Sequence, residues 1–127
     1  MTSSRPISPI SIYQPQLTSV MSIAHRITGA GTAVGLYASL MAYGLCNPAN
    51  KVQLIPDMRK MIREAPLPLV VAGKAAVSGP LAYHYWNGIR HLIWDMGLGL
   101  SLKGVYATGW TVNALAILTT GYFSLIK

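Results

Sequence analysis

The chain has 127 residues, of which 52% are apolar and only 10% are charged. Globular domains usually carry about a quarter charged residues, so much of the surface of this small chain must face lipid or protein. Ten Lys and Arg residues give a net charge of +7, but they lie between and at the ends of the apolar segments. This distribution argues against a nucleic-acid-binding face and is typical of charges that flank membrane spans.

The N-terminal stretch, residues 1–20, is rich in Pro and Ser, and Pro6, Pro9 and Pro15 exclude a continuous helix across it. Because it has no apolar core and only one Arg, we expect neither a signal peptide nor a clear transit peptide here. Cys46 is the only cysteine, which excludes an intrachain disulfide.

The first apolar segment, about residues 22–46, carries no charge after Arg26 and is long enough for a helix that crosses a membrane. Within it, Gly31 and Gly35 form a small-xxx-small pair, which favours close approach by another helix and hence a partner subunit. The polar residues 47–65 follow, and we predict a loop there with at most one short surface helix.

Two further apolar segments, about residues 66–95 and 104–126, complete the chain. Lys74 and Arg90 interrupt the segment 66–95 near its two ends. A lysine in such a position can extend its ammonium group to the lipid headgroups. We therefore predict an all-α integral membrane protein with three transmembrane helices that form part of a heteromeric bundle. Positive charge is nearly equal on the two sides, so it does not decide the orientation.

A first polar cluster opens the first span and consists of Ser22, His25 and Arg26. Ser22 and Arg26 are four residues apart and share a helix face, with His25 beside them. A hydroxyl, an imidazole and a guanidinium at interface depth can bind a carbonyl or a carboxylate. The alternative is that Arg26 is an ordinary interface anchor and Ser22 a helix cap.

A second cluster contains His84, Gly88 and His91, which have the i, i+4, i+7 spacing of one helix stripe. A histidine buried in a helix bundle is a usual axial ligand of haem iron, and a glycine one turn away would leave room for the macrocycle. The alternative for His84 is a hydrogen bond to a neighbouring helix. No other histidine is placed to ligate the opposite haem face, so a second ligand would come from another polypeptide.

The sequence resembles the large cytochrome b membrane-anchor subunit of succinate dehydrogenase, respiratory complex II. The resemblance covers essentially the whole chain and rests on three stretches: Arg5-Pro6-Ile7-Ser8-Pro9 followed by Ile12-Tyr13, Ser22-Ile23-Ala24-His25-Arg26-Ile27-Thr28-Gly29, and His84-x-x-x-Gly88-Ile89-Arg90-His91-Leu92-x-Trp94-Asp95. The chain departs from mitochondrial relatives between Pro9 and Ile12, where their His is absent and the segment is one residue shorter.

The resemblance implies a role for each candidate residue. His84 would be an axial ligand of haem b, with the second ligand from the small anchor subunit. The other assignments are Ser22, Ile23 and Arg26 for the quinone site, His25, Arg26, Gly88 and His91 for the haem propionates and environment, and Asp95 for a proton relay. The quinone would be ubiquinone or rhodoquinone.

The resemblance also implies the setting. The partners would be the small anchor subunit, an iron–sulfur subunit and a flavoprotein. The complex would lie in the mitochondrial inner membrane, which is favoured over a bacterial inner membrane. Residues 1–25 and 95–104 would face the matrix, and residues 47–65 the intermembrane space. The chain has no flavin or iron–sulfur motif, so we expect it to be inactive alone and to support electron transfer from succinate to quinone, or the reverse with fumarate.

Two other functions are alternatives to a complex II membrane anchor. One is a haem-free anchoring or assembly subunit of another respiratory complex, with a structural His84. The other is a channel or transporter, which is disfavoured because no span carries a polar stripe along its whole length.

Overall fold

The computed structural model describes residue 12, residues 14–45 and residues 48–126, with side chains in the second helix described from residue 54 onward. These residues form four helices and no strand: α1 Leu17–Leu45, α2 Pro48–Glu64, α3 Leu67–Asp95 and α4 Leu102–Leu125. The predicted N-terminal motif, most of it in residues 1–11, therefore lies outside the described residues, as does Cys46.

Local sequence signals explain where α3 and α4 begin and end. Pro66 is the N-cap of α3, and Pro68 lies in its first turn, where a proline loses no hydrogen bond because that N–H has no partner within the helix. Ser101 caps α4, with its hydroxyl accepting from the Gly104 N–H at 3.2 Å. Between the two helices, Gly97 and Gly99 adopt positive φ angles of 77° and 72°, which glycine allows at little cost. This short turn places α3 and α4 side by side.

The bundle is built on the pair of α3 and α4, with α1 packed mainly against α3. Its buried residues are few and several are polar or small: Met21, Ala82, Asn87, Arg90, Gly109, Val112, Ala116 and Ser124. Large apolar side chains instead point outward on all three helices, among them Val34, Leu36, Leu92, Ile117 and Leu118. An outer surface this apolar needs lipid or protein to cover it.

The three long helices agree within a few residues with the predicted segments 22–46, 66–95 and 104–126, which confirms the all-helical prediction. Within the part of the chain that the structure describes, no helix combines the length and the mean hydropathy that mark a membrane span. The transmembrane position of the helices therefore stays a prediction at this point.

α2 is longer than the sequence predicted. In place of a loop with at most a short helix, the structure has 17 residues of helix from Pro48 to Glu64, with Pro56 inside it. Polar composition suggested a loop, but apolar residues recur at helical spacing at Leu54, Met58 and Met61. α2 makes few contacts with the other helices.

Candidate functional site

Three histidines meet at one end of the bundle. His25 on α1 stacks on His84 of α3, with ring centroids 4.1 Å apart and an interplanar angle of 3°. The His91 ring lies 4.9 Å from His25 at an angle of 42°. The structure thus brings together all three histidines of the chain, which the sequence had assigned to two separate clusters.

His84 is held in one ring orientation. Its Nδ1 lies 3.1 Å from the carbonyl oxygen of His25, and because a carbonyl only accepts, Nδ1 must be the N–H donor. The lone pair is then on Nε2, which makes no hydrogen bond within the described residues. A metal-ligating histidine commonly uses its other ring nitrogen in this way, so the arrangement suits an axial ligand.

Gly29 provides the space that the His84 ring occupies. A Cβ placed on Gly29 would lie 2.6 Å from His84 Cε1, which is closer than any real contact. The sequence analysis had assigned Gly88 to leave room for a macrocycle, and that assignment stays a prediction. A Cβ on Gly88 would lie 3.9 Å from His25 Cε1, an ordinary van der Waals distance. Gly29 is therefore required for the packing of the His84 ring against α1, and Gly88 faces His25.

Two buried polar atoms beside the histidines have no hydrogen-bond partner in the described structure: His25 Nδ1 and Trp94 Nε1. Trp94 packs edge-on against His91, with centroids 5.2 Å apart at 89°. Buried polar atoms are rarely left unpaired, because each loses its bonds to water. Their presence here fits a polar group that binds at the cluster.

Ser22, Ile23 and Arg26 lie on the first turns of α1 at the same end of the bundle. Ile23 and Arg26 are exposed, and Ser22 is half-buried. The Ser22 hydroxyl has no hydrogen bond to any described residue, whereas the hydroxyl of Thr28 donates to the Ala24 carbonyl at 2.8 Å. The structure does not bring Arg26 against the histidines. Both polar groups are therefore free to bind a ligand from outside the chain.

Asp95 ends α3 at this same end of the bundle. It is exposed and forms no ion pair with a described residue. Its position is compatible with the predicted relay, although the structure links it to no other candidate residue.

Arg90 is a buried residue of this site, whereas the sequence analysis treated it as a charge near the end of a span. It is only 3% exposed, and its guanidinium donates to Thr108 Oγ1 at 3.1 Å, to the Val105 carbonyl at 2.7 Å and to Asn87 Oδ1 at 3.3 Å. It also lies 4.0 Å from the centre of the Trp94 ring, a cation–π contact. Arg90 therefore joins α3 to α4 by neutral acceptors, without a described carboxylate partner.

Met21 ties the start of α1 to the same network. Its sulfur lies 3.6 Å from Arg90 Nη1, and its carbonyl oxygen accepts from the Tyr83 hydroxyl at 3.0 Å. A Cβ on Gly109 would lie 3.1 Å from that sulfur, so the small residue on α4 makes room for it. These contacts fix the turn that carries Ser22 and His25.

A sequence signal for this network existed. Tyr83, Asn87, Arg90 and Trp94 follow each other at i, i+4, i+7 and i+11, a polar stripe next to the one that holds His84 and His91. A stripe of this kind on an otherwise apolar helix predicts a polar helix interface.

The histidine cluster cannot by itself enclose a metal centre. Within the described residues, no three His, Cys, Asp or Glu side chains are arranged to hold a metal ion. The His25 and His84 rings are parallel and 4.1 Å apart, which leaves no room for a macrocycle between them. His25 is therefore not the opposite ligand in this arrangement.

A helical bundle with a polar, histidine-rich end and an apolar outer surface has the features of a subunit that lipid or partner chains surround. The family described as the succinate dehydrogenase/fumarate reductase transmembrane subunit matches residues 1–123, and the chain belongs to this family. The resemblance stated from the sequence is thereby confirmed.

Curated relatives agree with this assignment. The chain is 47% identical over 123 residues to the mitochondrial succinate dehydrogenase cytochrome B subunit of Schizosaccharomyces pombe, covering 96% of the chain and 68% of the relative. It is 39% identical to the human mitochondrial succinate dehydrogenase cytochrome b560 subunit, covering 93% and 69%. It is 38% identical to the succinate dehydrogenase cytochrome b556 subunit of Rickettsia prowazekii, covering 91% and 87%.

Proposed function

We propose that this chain binds haem b through His84 and forms part of the quinone site of a succinate:quinone oxidoreductase. The observation that carries the proposal is the fixed orientation of His84, whose Nδ1–H donates to the His25 carbonyl while Nε2 keeps its lone pair. The names of the relatives, which are cytochrome b subunits of succinate dehydrogenase, support it.

The residues present fit a haem. His84 would be one axial ligand, and the unpaired Nδ1 of His25 and Nε1 of Trp94 would find polar partners at the cofactor's edge. Arg26 and His91 carry groups that pair well with propionates. When bound, haem b supplies a one-electron centre beside the quinone site. The second ligand would come from the small anchor subunit, since the described histidines cannot supply it.

Three membrane spans follow from the same proposal. At 1.5 Å per residue, helices of 29, 29 and 24 residues are roughly 44, 44 and 36 Å long, enough to cross a hydrocarbon core of about 30 Å. Many of their hydroxyls donate to a carbonyl one turn earlier, as a helix in lipid requires: Thr28, Thr32, Ser39, Thr108, Thr111, Thr120 and Ser124. By family, the histidine end would face the matrix of the mitochondrial inner membrane.

Quinone reduction would take place beside Ser22 and Arg26, where the small anchor and the iron–sulfur subunit join this chain. The unpaired hydroxyl of Ser22 can donate to a quinone carbonyl, and exposed Ile23 offers an apolar wall. The positive charge of Arg26 favours the negative charge that develops on the quinone oxygen as electrons arrive from the iron–sulfur subunit. Asp95 would pass protons from the same side of the membrane.

A visible spectrum of the purified complex that contains this chain tests the haem proposal. We expect a sharp b-type band in the reduced-minus-oxidised difference, in proportion to the flavin content. A fully assembled complex without that band would support the alternative, a haem-free anchoring subunit.

Gly29→Ala tests the geometry around the ligand. Because its Cβ would meet His84 Cε1 at 2.6 Å, the ring must move, and overpacking of this kind typically costs about 1–3 kcal/mol. We expect a severalfold loss or a shift of the haem band. Gly121→Ala on α4 is the control, since a Cβ at Gly121 has nothing within 4 Å in the described structure. Equal spectra for the two variants would show that His84 is not held as described.

Ser22→Ala and Arg26→Leu test the quinone site. A lost hydrogen bond to a charged group costs about 1.5–3 kcal/mol, so succinate-to-quinone transfer should fall on the order of tenfold to a hundredfold. Quinone-site inhibitors should bind more weakly. Succinate oxidation with an artificial acceptor that takes electrons upstream should stay near normal in the same membranes. Equal losses in both assays would mean that these residues act through assembly instead.

A further inference from the structure

We infer that α2 is an interfacial helix that binds anionic phospholipid at the end of the bundle opposite the histidine cluster. The surface is one that neither the haem nor the quinone site uses, and the inference rests on the membrane spans of the proposed function. It rests on the two faces of α2, on the lack of a covering element among the described residues and on a groove that continues from α2.

The sequence of α2 divides the helix into two faces. From Leu54 to Glu64, at 100° per residue, its large apolar side chains fall within an arc of about 120°. Outside that arc lie the cations Arg59, Lys60 and Arg63 and the acidic Asp57 and Glu64, so this face has a net positive charge. The residues of the apolar arc are Leu54, Ile55, Met58, Met61 and Ile62. A basic polar face opposite an apolar face is the pattern of helices that lie in the plane of a membrane surface.

The apolar arc is mostly uncovered by protein in the described structure. Met58, Met61 and Ile62 are 52%, 71% and 54% exposed, and α2 makes few contacts with the three long helices. Because α2 connects the end of α1 to the start of α3, it lies where two proposed spans leave the bilayer. A lipid surface is therefore the nearest apolar phase available to this face.

The charges of α2 select an anionic surface. Arg59 and Arg63 are one helical turn apart and form no ion pair with a described residue. Lys60 is different, because it lies 3.9 Å from Glu64 across an exposed i,i+4 pair. The two arginines can extend from the edge of the apolar arc to phosphate groups while their stems cover apolar surface.

An apolar groove of about 880 Å³ continues from Met61 and Ile62 along α3 and α4. It is lined on α3 from Leu69 to Tyr85, a distance of roughly 24 Å, which exceeds the half-thickness of about 15 Å of a hydrocarbon core. The groove therefore has the length and the apolar lining for a phospholipid acyl chain.

Two polar groups lie within this groove. Lys74 Nζ donates to the Ile126 carbonyl at 2.6 Å, and the ammonium keeps two further donors for a phosphate. Ser78 Oγ is buried without a partner in the described structure. An anionic phospholipid offers both a phosphate for Lys74 and ester oxygens for Ser78, which a plain hydrocarbon does not.

Photo-crosslinking in the intact complex tests the orientation of α2. A photoreactive residue is placed either at Met58 or at Lys60. These two positions are only two residues apart but lie on opposite faces of α2. After irradiation of native membranes, we expect phospholipid adducts severalfold more abundant at Met58 than at Lys60. A cross-link from Met58 to a protein subunit, or equal lipid adducts at both positions, would overturn the inference.

Lipid retention tests the selection of anionic lipid. The complex is reconstituted with phosphatidylcholine and a minor fraction of phosphatidylglycerol, repurified, and its bound lipid counted by mass spectrometry. Each cation near an anionic surface raises affinity about fivefold, so the double variant R59Q/R63Q should lose phosphatidylglycerol more than tenfold. K60Q, the matched control, should lose much less. Unchanged phosphatidylglycerol in the double variant would refute the proposed role of the arginines.

Discussion

His84→Leu is expected to remove haem b from the assembled complex, lowering the b-type band at least about tenfold relative to flavin. The leucine has no lone pair for iron, and one axial bond of the proposed pair is lost outright. The measurement is the reduced-minus-oxidised spectrum of the purified complex, normalised to flavin. We expect assembly to weaken more than quinone turnover, because a haem beside the electron route need not carry every electron.

His91→Leu is the control for this experiment. It removes an imidazole from the same cluster, but one whose Nε2 lies 3.4 Å from Asn87 Nδ2 rather than in a ligand orientation. We expect the band to shift while most of the haem is retained. A band of unchanged intensity and position in His84→Leu would exclude His84 as a ligand, and a larger loss in His91→Leu would exchange the two roles.

Arg90→Leu is expected to cause the largest loss of stability among single substitutions in the bundle. It leaves the Val105 carbonyl, Thr108 and Asn87 without their charged donor, and each such bond is worth about 1.5–3 kcal/mol. Because these effects are not additive, we expect a total of at least about 3 kcal/mol. The measurement is the temperature at which the detergent-solubilised complex loses this subunit.

Two further variants serve as comparisons for the dissociation temperature of Arg90→Leu. Arg90→Lys keeps the charge but not the planar fork of donors, so it should restore only part of the stability. Arg26→Leu removes an exposed arginine at the same end of the bundle and should leave the dissociation temperature close to that of the unmodified complex. If all three variants dissociate at the same temperature, the network around Arg90 does not hold α1 and α4 to α3.

The three long helices could be predicted because long uncharged stretches make up most of each, and the few charges lie towards their ends. The stripe of His84, Gly88 and His91 was also readable, since a helix repeats every 3.6 residues. The contact between His25 and His84 could not be predicted, because it depends on the position of α1 along the axis of α3. The same register brings Gly29 into close contact with the His84 ring.

Other features required the structure for different reasons. Arg90 looked like a charge at the end of a span, because its acceptors Thr108 and Val105 belong to another helix. α2 looked like a loop because its polar residues and Pro56 obscure the apolar repeat. The pair Gly31 and Gly35 predicted a close helix, yet nothing in the described chain lies within 4 Å of a Cβ at either position. That surface remains open for a partner.

The bundle has polar contacts inside and apolar side chains outside, and this distribution determines which conditions dissociate its helices. Its helix contacts are made by an arginine, hydroxyls and small residues, while its large apolar side chains already face outward. Separating the helices in lipid therefore exposes little new hydrocarbon surface, and the hydrophobic effect contributes little to their cohesion. Water that reaches Arg90 would compete directly for its donors. Harsh detergents that admit solvent between the helices should thus dissociate them more readily than moderate heating in an intact bilayer.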